Sequence, residues 1–190
     1  MPELELFLPP EEISNRIKHI RNQEKPTLKS STSYHIFTPN TELASFVWGL
    51  TNFVCDFYRM GEISNMSSTR WNGLRRILET VGEGVQNGLC HGGQELVILG
   101  LFLGDKGAAF SFKDFGNYFT RPDIKMIWES KNLEGVWKEK KEALRVGHAS
   151  SGPGYGVRDS IFAHSDVIYV DNNQGALYCV QMRERFDIKS

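Results

Sequence analysis

The longest regular pattern of apolar and polar residues in the chain lies between positions 70 and 92. Apolar residues recur there at steps of three and four, which is the period of an amphipathic helix. The spacing predicts a helix over 71–92, begun by Ser68 or Thr69. The apolar stripe consists of Trp71, Leu74, Ile77, Leu78, Val81, Val85 and Leu89. At about 100° per residue, the opposite face is expected to meet solvent. That face carries Arg76, Thr80, Glu83, Asn87 and His91.

Three polar residues on this face lie one helical turn apart, namely Glu83, Asn87 and His91. A carboxylate, an amide oxygen and an imidazole in one column are able to hold a water, a hard cation and a phosphate in line. The alternative is an ordinary solvated helix surface. Glycines inside a helix each cost about 1 kcal/mol relative to alanine, so we expect a ligand or another backbone to approach closely, or a turn at 86–88. The glycines are Gly82, Gly84 and Gly88.

The remaining patterns predict short strands in hairpins and helices that follow one another. Residues 1–30 form an extension with a short helix that begins near Pro9 and Pro10. In the helix at 42–60, Phe53 belongs to the apolar stripe, and Trp48 and Tyr58 widen it. This order predicts an α+β fold, a two-layer sandwich of a mainly antiparallel mixed sheet with helices on one face. The predicted strands are 33–38, 95–103, 108–114, 166–170 and 176–182, and a last helix is predicted at 157–164.

Composition narrows the class of protein. The 190 residues carry 22 basic and 23 acidic side chains, and 40% of the residues are hydrophobic. One domain with an attached segment is expected, and the balanced charge argues against a protein that coats nucleic acid or an anionic membrane. Three scattered cysteines without a C-x-x-C pair indicate a reducing compartment and argue against zinc. No signal peptide or long apolar run is present in the sequence, so we expect a cytoplasmic protein without a membrane partner.

Two further motifs follow downstream. Asp114-Phe-Gly116 closes a predicted strand, and three alternating glycines precede the helix at 157–164. Each motif alone has a simpler explanation, a strand-to-turn ending and a flexible turn. The loop is not a Walker A sequence, because no Gly-Lys-Ser/Thr follows, and it lies too late in the chain for a Rossmann fingerprint. The glycines of this loop are Gly152, Gly154 and Gly156.

Together, the helical column, the Asp-x-Gly motif and the glycine loop resemble the ATP-binding domain shared by gyrase-type topoisomerases, ninety-kilodalton heat-shock chaperones, histidine kinases and mismatch-repair ATPases. This is the GHKL superfamily. Within it, the layout is most similar to the small anti-sigma serine kinases, where the sequence around the asparagine often runs E-x-x-x-N-A-x-x-H-G. Here it reads EGVQNGLCHG from Glu83. The resemblance covers residues 31–190 and makes 117–151 the expected lid.

The resemblance implies a role for each matching residue. Asn87 would bind Mg²⁺ through its side-chain oxygen, and Glu83 would act as the general base. His91 would face the phosphates. Asp114 would accept a hydrogen bond from the adenine amino group, and Gly116 would let the base lie close to the backbone. The three glycines at 152, 154 and 156 would wrap the phosphates, with the next helix offering its amide groups.

The implied function is an ATP- and Mg²⁺-binding regulator that phosphorylates or binds a partner protein. Two alternatives stay open: a nucleotide-sensing module without catalysis, and a standalone relative of histidine kinases. The last would need a phosphoacceptor, for which His19 is a weak match. Tyr118, Gly88 and Ala176 stand where the family usually has glycine, alanine and threonine. Turnover and partner identity are not determined by the sequence, and a homodimer is compatible with it.

Overall fold

Six strands form one sheet in the computed structural model, which describes residues 5–6, 10–21, 30–91, 95–115, 125, 129, 157–171 and 176–182. The strand order is β1-β5-β6-β4-β3-β2, and only the β1–β5 pair is parallel. The strands are β1 (Glu5–Leu6), β2 (Ser30–Phe37), β3 (Val97–Gly104), β4 (Gly107–Lys113), β5 (Val167–Asp171) and β6 (Ala176–Met182). The helices are α1 (Pro10–Arg21), α2 (Leu43–Tyr58) and α3 (Ser68–His91), with a 3₁₀ turn at Ile63–Asn65 and a π-helix at Val157–Phe162.

Successive side chains of a strand point to opposite sides of the sheet. One side, called the helix face here, is buried under α2, α3 and the π-helix. Leu99, Leu101 and Leu103 of β3 belong to the main core with residues of α2, α3 and the π-helix. Phe102, between them, belongs to a second cluster on the far face. Helices packed on a mainly antiparallel sheet confirm the predicted α+β fold. No helix in the described part of the chain has an apolar stretch long enough to cross a membrane.

The short helix α1 of the N-terminal extension lies on the far face of the sheet. It contacts β3, β4, β5 and β6, and Ile17 packs against the cluster that contains Phe102, Ala109, Val167 and Val180. The domain itself keeps its other helices on one face, as predicted. Helix α1 of the extension therefore covers part of the far face of the sheet.

Helix α3 runs along the middle of the helix face, as its periodicity predicts. Leu74, Ile77, Val81 and Val85 are all 0% exposed. Burial of a branched apolar side chain contributes about 1.5–3 kcal/mol, so this stripe is a major source of stability. Trp71, in the first turn, is 42% exposed, and the buried stripe therefore begins at Leu74.

Two predictions from local pattern were wrong. Strand β2 begins at Ser30, three residues earlier than expected, since it pairs with β3 residue by residue from Ser30 opposite Gly104. Long-range pairing of this kind overrides the polar, loop-like composition of the segment. In α2, Trp48 is 64% exposed and Phe53 is 42% exposed. These two residues lie on the outer side of the helix, whereas Tyr58 is half-buried and donates a hydrogen bond to the Gly107 carbonyl at 2.8 Å.

Two of the three helix glycines mark a close approach between α3 and the sheet. A Cβ at Gly84 would overlap the ring of Phe112, a buried residue of β4. A Cβ at Gly88 would overlap Val97 of β3. At Gly82 a Cβ would meet no atom within 4 Å. At Gly84 and Gly88 the approaching groups are side chains of the sheet, whereas a ligand or another backbone is what the sequence predicts, and α3 continues through the turn considered at 86–88.

Substitution of Gly84 and Gly82 by alanine should have opposite effects on stability. Gly84→Ala forces the Phe112 ring out of a packed core and should lower the free energy of unfolding by about 1–3 kcal/mol. Gly82→Ala adds helix propensity in open space and should raise it by about 0.5–1 kcal/mol. Urea unfolding followed by circular dichroism measures both. Equal effects of the two substitutions would contradict the close packing at Gly84.

Candidate functional site

The candidate site lies where the second half of α3 meets the start of β3 and the end of β4. A Cβ at Gly88 would lie 3.2 Å from the Asp114 Cβ, in addition to its overlap with Val97. Because Gly88 has no side chain, the helix backbone lies directly against Asp114. The residue before Gly88 is Asn87. Two motifs that are far apart in sequence therefore meet at one end of the central strands, here called the α3–β4 edge to distinguish it from the two lateral edges of the sheet.

Asn87 and Glu83 are held to each other by a hydrogen bond. The Asn87 Nδ2 donates to Glu83 Oε1 over 2.9 Å, as expected for residues one helical turn apart. A carboxylate accepts and does not donate, so it fixes the amide with Nδ2 toward Glu83. The Oδ1 of Asn87 is thereby directed away from Glu83. Both side chains are half-buried, and the pair presents an oriented carbonyl oxygen beside a carboxylate.

Glu79, the other carboxylate on this part of α3, is engaged elsewhere. Its Oε1 lies 3.2 Å from Arg75 Nε, and its Oε2 lies 3.8 Å from His164 Nε2. The contacts of Glu79 therefore run toward the N-terminal half of α3 and the segment after the π-helix. Glu83 is directed to Asn87 instead, which distinguishes the two carboxylates.

The backbone next to Asp114 is strained. Phe115 has φ 60°, a left-handed conformation that is a genuine outlier for a bulky residue. Lys113 Nζ lies 4.9 Å from the centre of the Phe115 ring. Glu95, just before β3, also has a left-handed φ of 50°, and Ile98 pairs with Lys113 across the strands. Strain of this kind often accompanies functional sites, and here it lies at the same edge of the sheet as Asp114.

Thr80 was expected to face solvent, and this prediction was wrong. Thr80 is 0% exposed because the π-helix, about eighty residues later in the chain, packs on this side of α3. Its hydroxyl donates to the Ser160 carbonyl at 3.1 Å and accepts from Gln181 Nε2 at 2.7 Å. One buried hydroxyl therefore joins α3, the π-helix and β6. The π-helix directly follows the 152–156 glycine segment in sequence. Thr80 therefore anchors the π-helix to α3 through Ser160.

The structure places Gly88, the residue after Asn87, against Asp114 and joins Asn87 to Glu83 by a hydrogen bond, while the roles expected of Glu83, Asn87 and Asp114 stay predictions. His91 is the last residue of α3, and its side chain lies outside the described residues. Gly116, the three loop glycines (Gly152, Gly154 and Gly156) and most of the 117–151 lid also lie outside the described residues. Sequence reasoning missed Thr80, Gln181 and Phe115. The alternation of β6 could have placed Gln181 on the helix face, but no local signal marks Phe115.

The oxygen donors at the α3–β4 edge are of the type that binds a hard cation, but they are too few to bind one without further ligands. An amide oxygen and a carboxylate are oxygen donors of the kind Mg²⁺ takes, and Mg²⁺ usually completes its shell with water and substrate phosphates. Within the described ranges, no group of three or more His, Cys, Asp or Glu side chains is placed to hold a metal. In donor type, though not in number, the Asn87 amide oxygen and the Glu83 carboxylate match the oxygen ligands that a magnesium ion takes.

Two of the three thiols are buried in the core and are not placed to act as nucleophiles. All three cysteines are free. Burial raises the pKa of Cys179 to about 12, against a smaller opposing effect of its hydrogen bond with Ser165. Burial, with the nearby Asp56 carboxylate, also raises the pKa of Cys55. A thiol with a raised pKa is protonated and unreactive at neutral pH, whereas Cys90 is exposed.

A separate cavity of about 680 Å³ lies at the end of α2, where Asp56, Arg59 and Glu62 contribute to its lining. None of the three predicted site residues that the structure describes lines it. Comparison with protein-family models, curated proteins and solved structures finds no match to this chain. Function is therefore inferred from the geometry of the α3–β4 edge itself.

Removal of the Thr80 hydroxyl should destabilise the fold. Thr80→Val leaves the Gln181 amide nitrogen without its partner, and the Gln181 Oε1 has no hydrogen-bond partner among the described residues. A buried polar group left unpaired costs about 1–3 kcal/mol. Thr80→Ser keeps the hydroxyl and should lose clearly less. Urea unfolding of both variants checks the difference. A Thr80→Val variant as stable as Thr80→Ser would show that the bridge contributes nothing.

Proposed function

We propose that this chain binds ATP with Mg²⁺ at the α3–β4 edge, as a member of the histidine-kinase-like ATPase superfamily. In this proposal it regulates a partner protein in the cytoplasm, by phosphorylating it or by binding it in a nucleotide-dependent way. The observation that carries the proposal is the contact of Asp114 with the helix turn of Gly88, beside Asn87. An adenine-selective carboxylate and a metal-binding amide must lie within one nucleotide's length of each other.

The Asn87–Glu83 hydrogen bond supports the metal part of the proposal. With Nδ2 held by Glu83 at 2.9 Å, Asn87 needs no reorientation to present Oδ1 to a cation. Such preorganisation reduces the cost of binding. A bound Mg²⁺, held by the Asn87 amide oxygen, would offset the negative charge of the phosphates. The task of the protein is to hold the amide oxygen in place, and Glu83 does so.

Glu83 is also the residue proposed to accept a proton. A general base must lie within hydrogen-bond reach of the group that it deprotonates, and in the proposed site the metal-bound phosphate lies beside Asn87. Glu79 is excluded from this role by its contacts with Arg75 and His164. Glu83 therefore would orient a water or a partner hydroxyl for attack on the terminal phosphate.

The same hydrogen bond favours a second candidate function. If Glu83 serves only to orient Asn87, the protein binds nucleotide and does not turn it over. It is then a nucleotide-sensing interaction module. The two candidates share the binding site and differ only in the role of Glu83, so one substitution separates them.

Loss of the Asn87 amide should weaken nucleotide binding in a Mg²⁺-dependent way. An amide oxygen alone is a poor cation site, so Asn87 contributes only when phosphates complete the shell of the ion. Asn87→Ala should reduce ATP affinity much more with Mg²⁺ than with EDTA, as measured by titration calorimetry. Gln86→Ala, at an exposed neighbouring position on the same helix, is the control and should change neither. An equal loss in both conditions would remove Asn87 from the metal.

Asp114 should select adenine over guanine. Its carboxylate accepts a hydrogen bond from the exocyclic amine of adenine, and guanine has a carbonyl at that position. A buried polar partner left unpaired costs about 1–3 kcal/mol, so the wild type should prefer ATP to GTP. Asp114→Ala should lose most of that preference in competition binding. A wild type that binds both nucleotides equally would contradict the assignment.

Substitution of Glu83 should separate binding from turnover. Glu83→Gln keeps an acceptor oxygen for Asn87 but removes the base, which is typically worth about 10²–10⁴ in rate. ATP affinity should change by no more than a few fold, and hydrolysis or transfer to a partner should be lost. Glu79→Gln is the matched control and should be much milder. If the wild type has measurable turnover and Glu83→Gln retains it, the catalytic role fails.

A further inference from the structure

The two edges of the sheet differ in length. One edge is β1, which has only two residues, Glu5–Leu6. The other is β2, which has eight residues and pairs with β3 alone within the described part of the chain. An edge strand presents a row of unpaired N–H and C=O groups, and proteins usually blunt long edges. The β1 edge is blunted by its shortness, and the β2 edge is not.

Strand β2 itself contains neither an acidic or basic side chain, nor a proline, nor a bulge, which are features that discourage edge pairing. Its sequence, SSTSYHIF, contains no Lys, Arg, Asp, Glu or Pro. Its register with β3 is continuous from Ser30 opposite Gly104 to Phe37 opposite Val97, without a bulge. Burial lowers the pKa of His35, so this side chain is neutral at neutral pH. The edge is therefore long, regular and uncharged.

The far-face side of this edge is apolar and exposed. Tyr34 and Ile36 are each 65% exposed, whereas Phe37, on the helix face, is 1% exposed. Tyr34 packs edge to face on Phe102, with ring centroids 5.8 Å apart. Phe102 is part of the cluster on which α1 packs. The apolar surface thus continues from under α1 to the rim of the sheet.

We propose that β2 pairs antiparallel with β2 of a second copy of this chain, across a two-fold axis perpendicular to the sheet. The two six-stranded sheets then form one continuous sheet. A two-fold interface requires a surface that is complementary to itself, and an uncharged antiparallel edge meets that requirement because it does not repel its copy. A partner recognised by charge would find no charged side chain on the strand.

The geometry of the two-fold axis restricts the register. Each face of the sheet stays on its own side, so residues that lie opposite each other must both be even-numbered or both odd-numbered. A centre at His35 places Tyr34 opposite Ile36 of the partner subunit, and the reverse. Cross-strand pairs of an aromatic and a β-branched residue stabilise sheets. The exposed apolar residues of both copies would then cover one another.

The interface does not involve the candidate nucleotide site. Strand β3 lies between β2 and β4, and Asp114 directly follows β4. The inference therefore stands whether or not the chain binds ATP. One strand and two side chains per copy make an interface at the small end of the stable range, so we expect dimerisation that depends on protein concentration in the micromolar range.

Sedimentation velocity of the full chain across that concentration range tests the proposal. The wild type should shift from the 21.6 kDa monomer toward twice that mass. Ile36→Lys places a charge on each side of the two-fold axis at an exposed position, and should weaken dimerisation by about tenfold or more. Trp48→Lys makes the same change of charge at a residue of equal exposure on α2, 64%, and should leave the dimer unchanged. Circular dichroism verifies that both variants fold.

Hydrogen exchange locates the interface independently. Amides of β2 should gain protection as the concentration of wild-type protein rises, and those of α2 should not. A wild type that stays monomeric throughout would overturn the proposal. So would a dimer that Trp48→Lys dissociates and Ile36→Lys does not, or a dimer without added protection in β2.

Discussion

The close approach of α3 to the sheet is the constraint on which the rest of the structure depends. Gly84 and Gly88 leave room for Phe112 and Val97, which a Cβ at either position would displace. Each glycine weakens the helix by about 1 kcal/mol, but the fully buried valines beside them, Val81 and Val85, each contribute about 1.5–3 kcal/mol. Packing therefore outweighs helix propensity, and the approach that it permits also brings Asp114 to Gly88, the residue after Asn87.

Periodicity predicts those parts of the fold in which one element determines its own pattern. The stripe of α3 and the hairpin of β3 and β4 follow from spacing, and so does the Glu83–Asn87 contact, since residues four apart share a helix face. Features that depend on contacts with distant segments of the chain do not follow from residue spacing. Thr80 is buried by a π-helix that begins at Val157, and no pattern near Thr80 could indicate it. The left-handed backbone of Phe115 likewise has no signature in the residue itself.

The candidate site combines local and long-range information. The column on α3 was readable from the sequence, but its proximity to Asp114 was implied only by the resemblance to the GHKL domain. In the structure, that proximity depends on the register of β4 with β3, which ends the strand at Lys113 beside the start of β3. The same pairing places β2 at the rim of the described part of the sheet, so the strand order determines the position of both the candidate site and the strand proposed to pair with a second copy.

Backbone amide chemical shifts of the wild-type protein, recorded with and without ATP and Mg²⁺, test the central claim most directly. If ATP binds at the α3–β4 edge, the largest shift changes should occur in the second half of α3, from Glu83 to His91, and around Asp114. The residues that line the 680 Å³ cavity near Asp56 and Arg59 should show no change. Changes confined to that cavity, or no change at saturating nucleotide, would contradict the assignment of the α3–β4 edge as a nucleotide site.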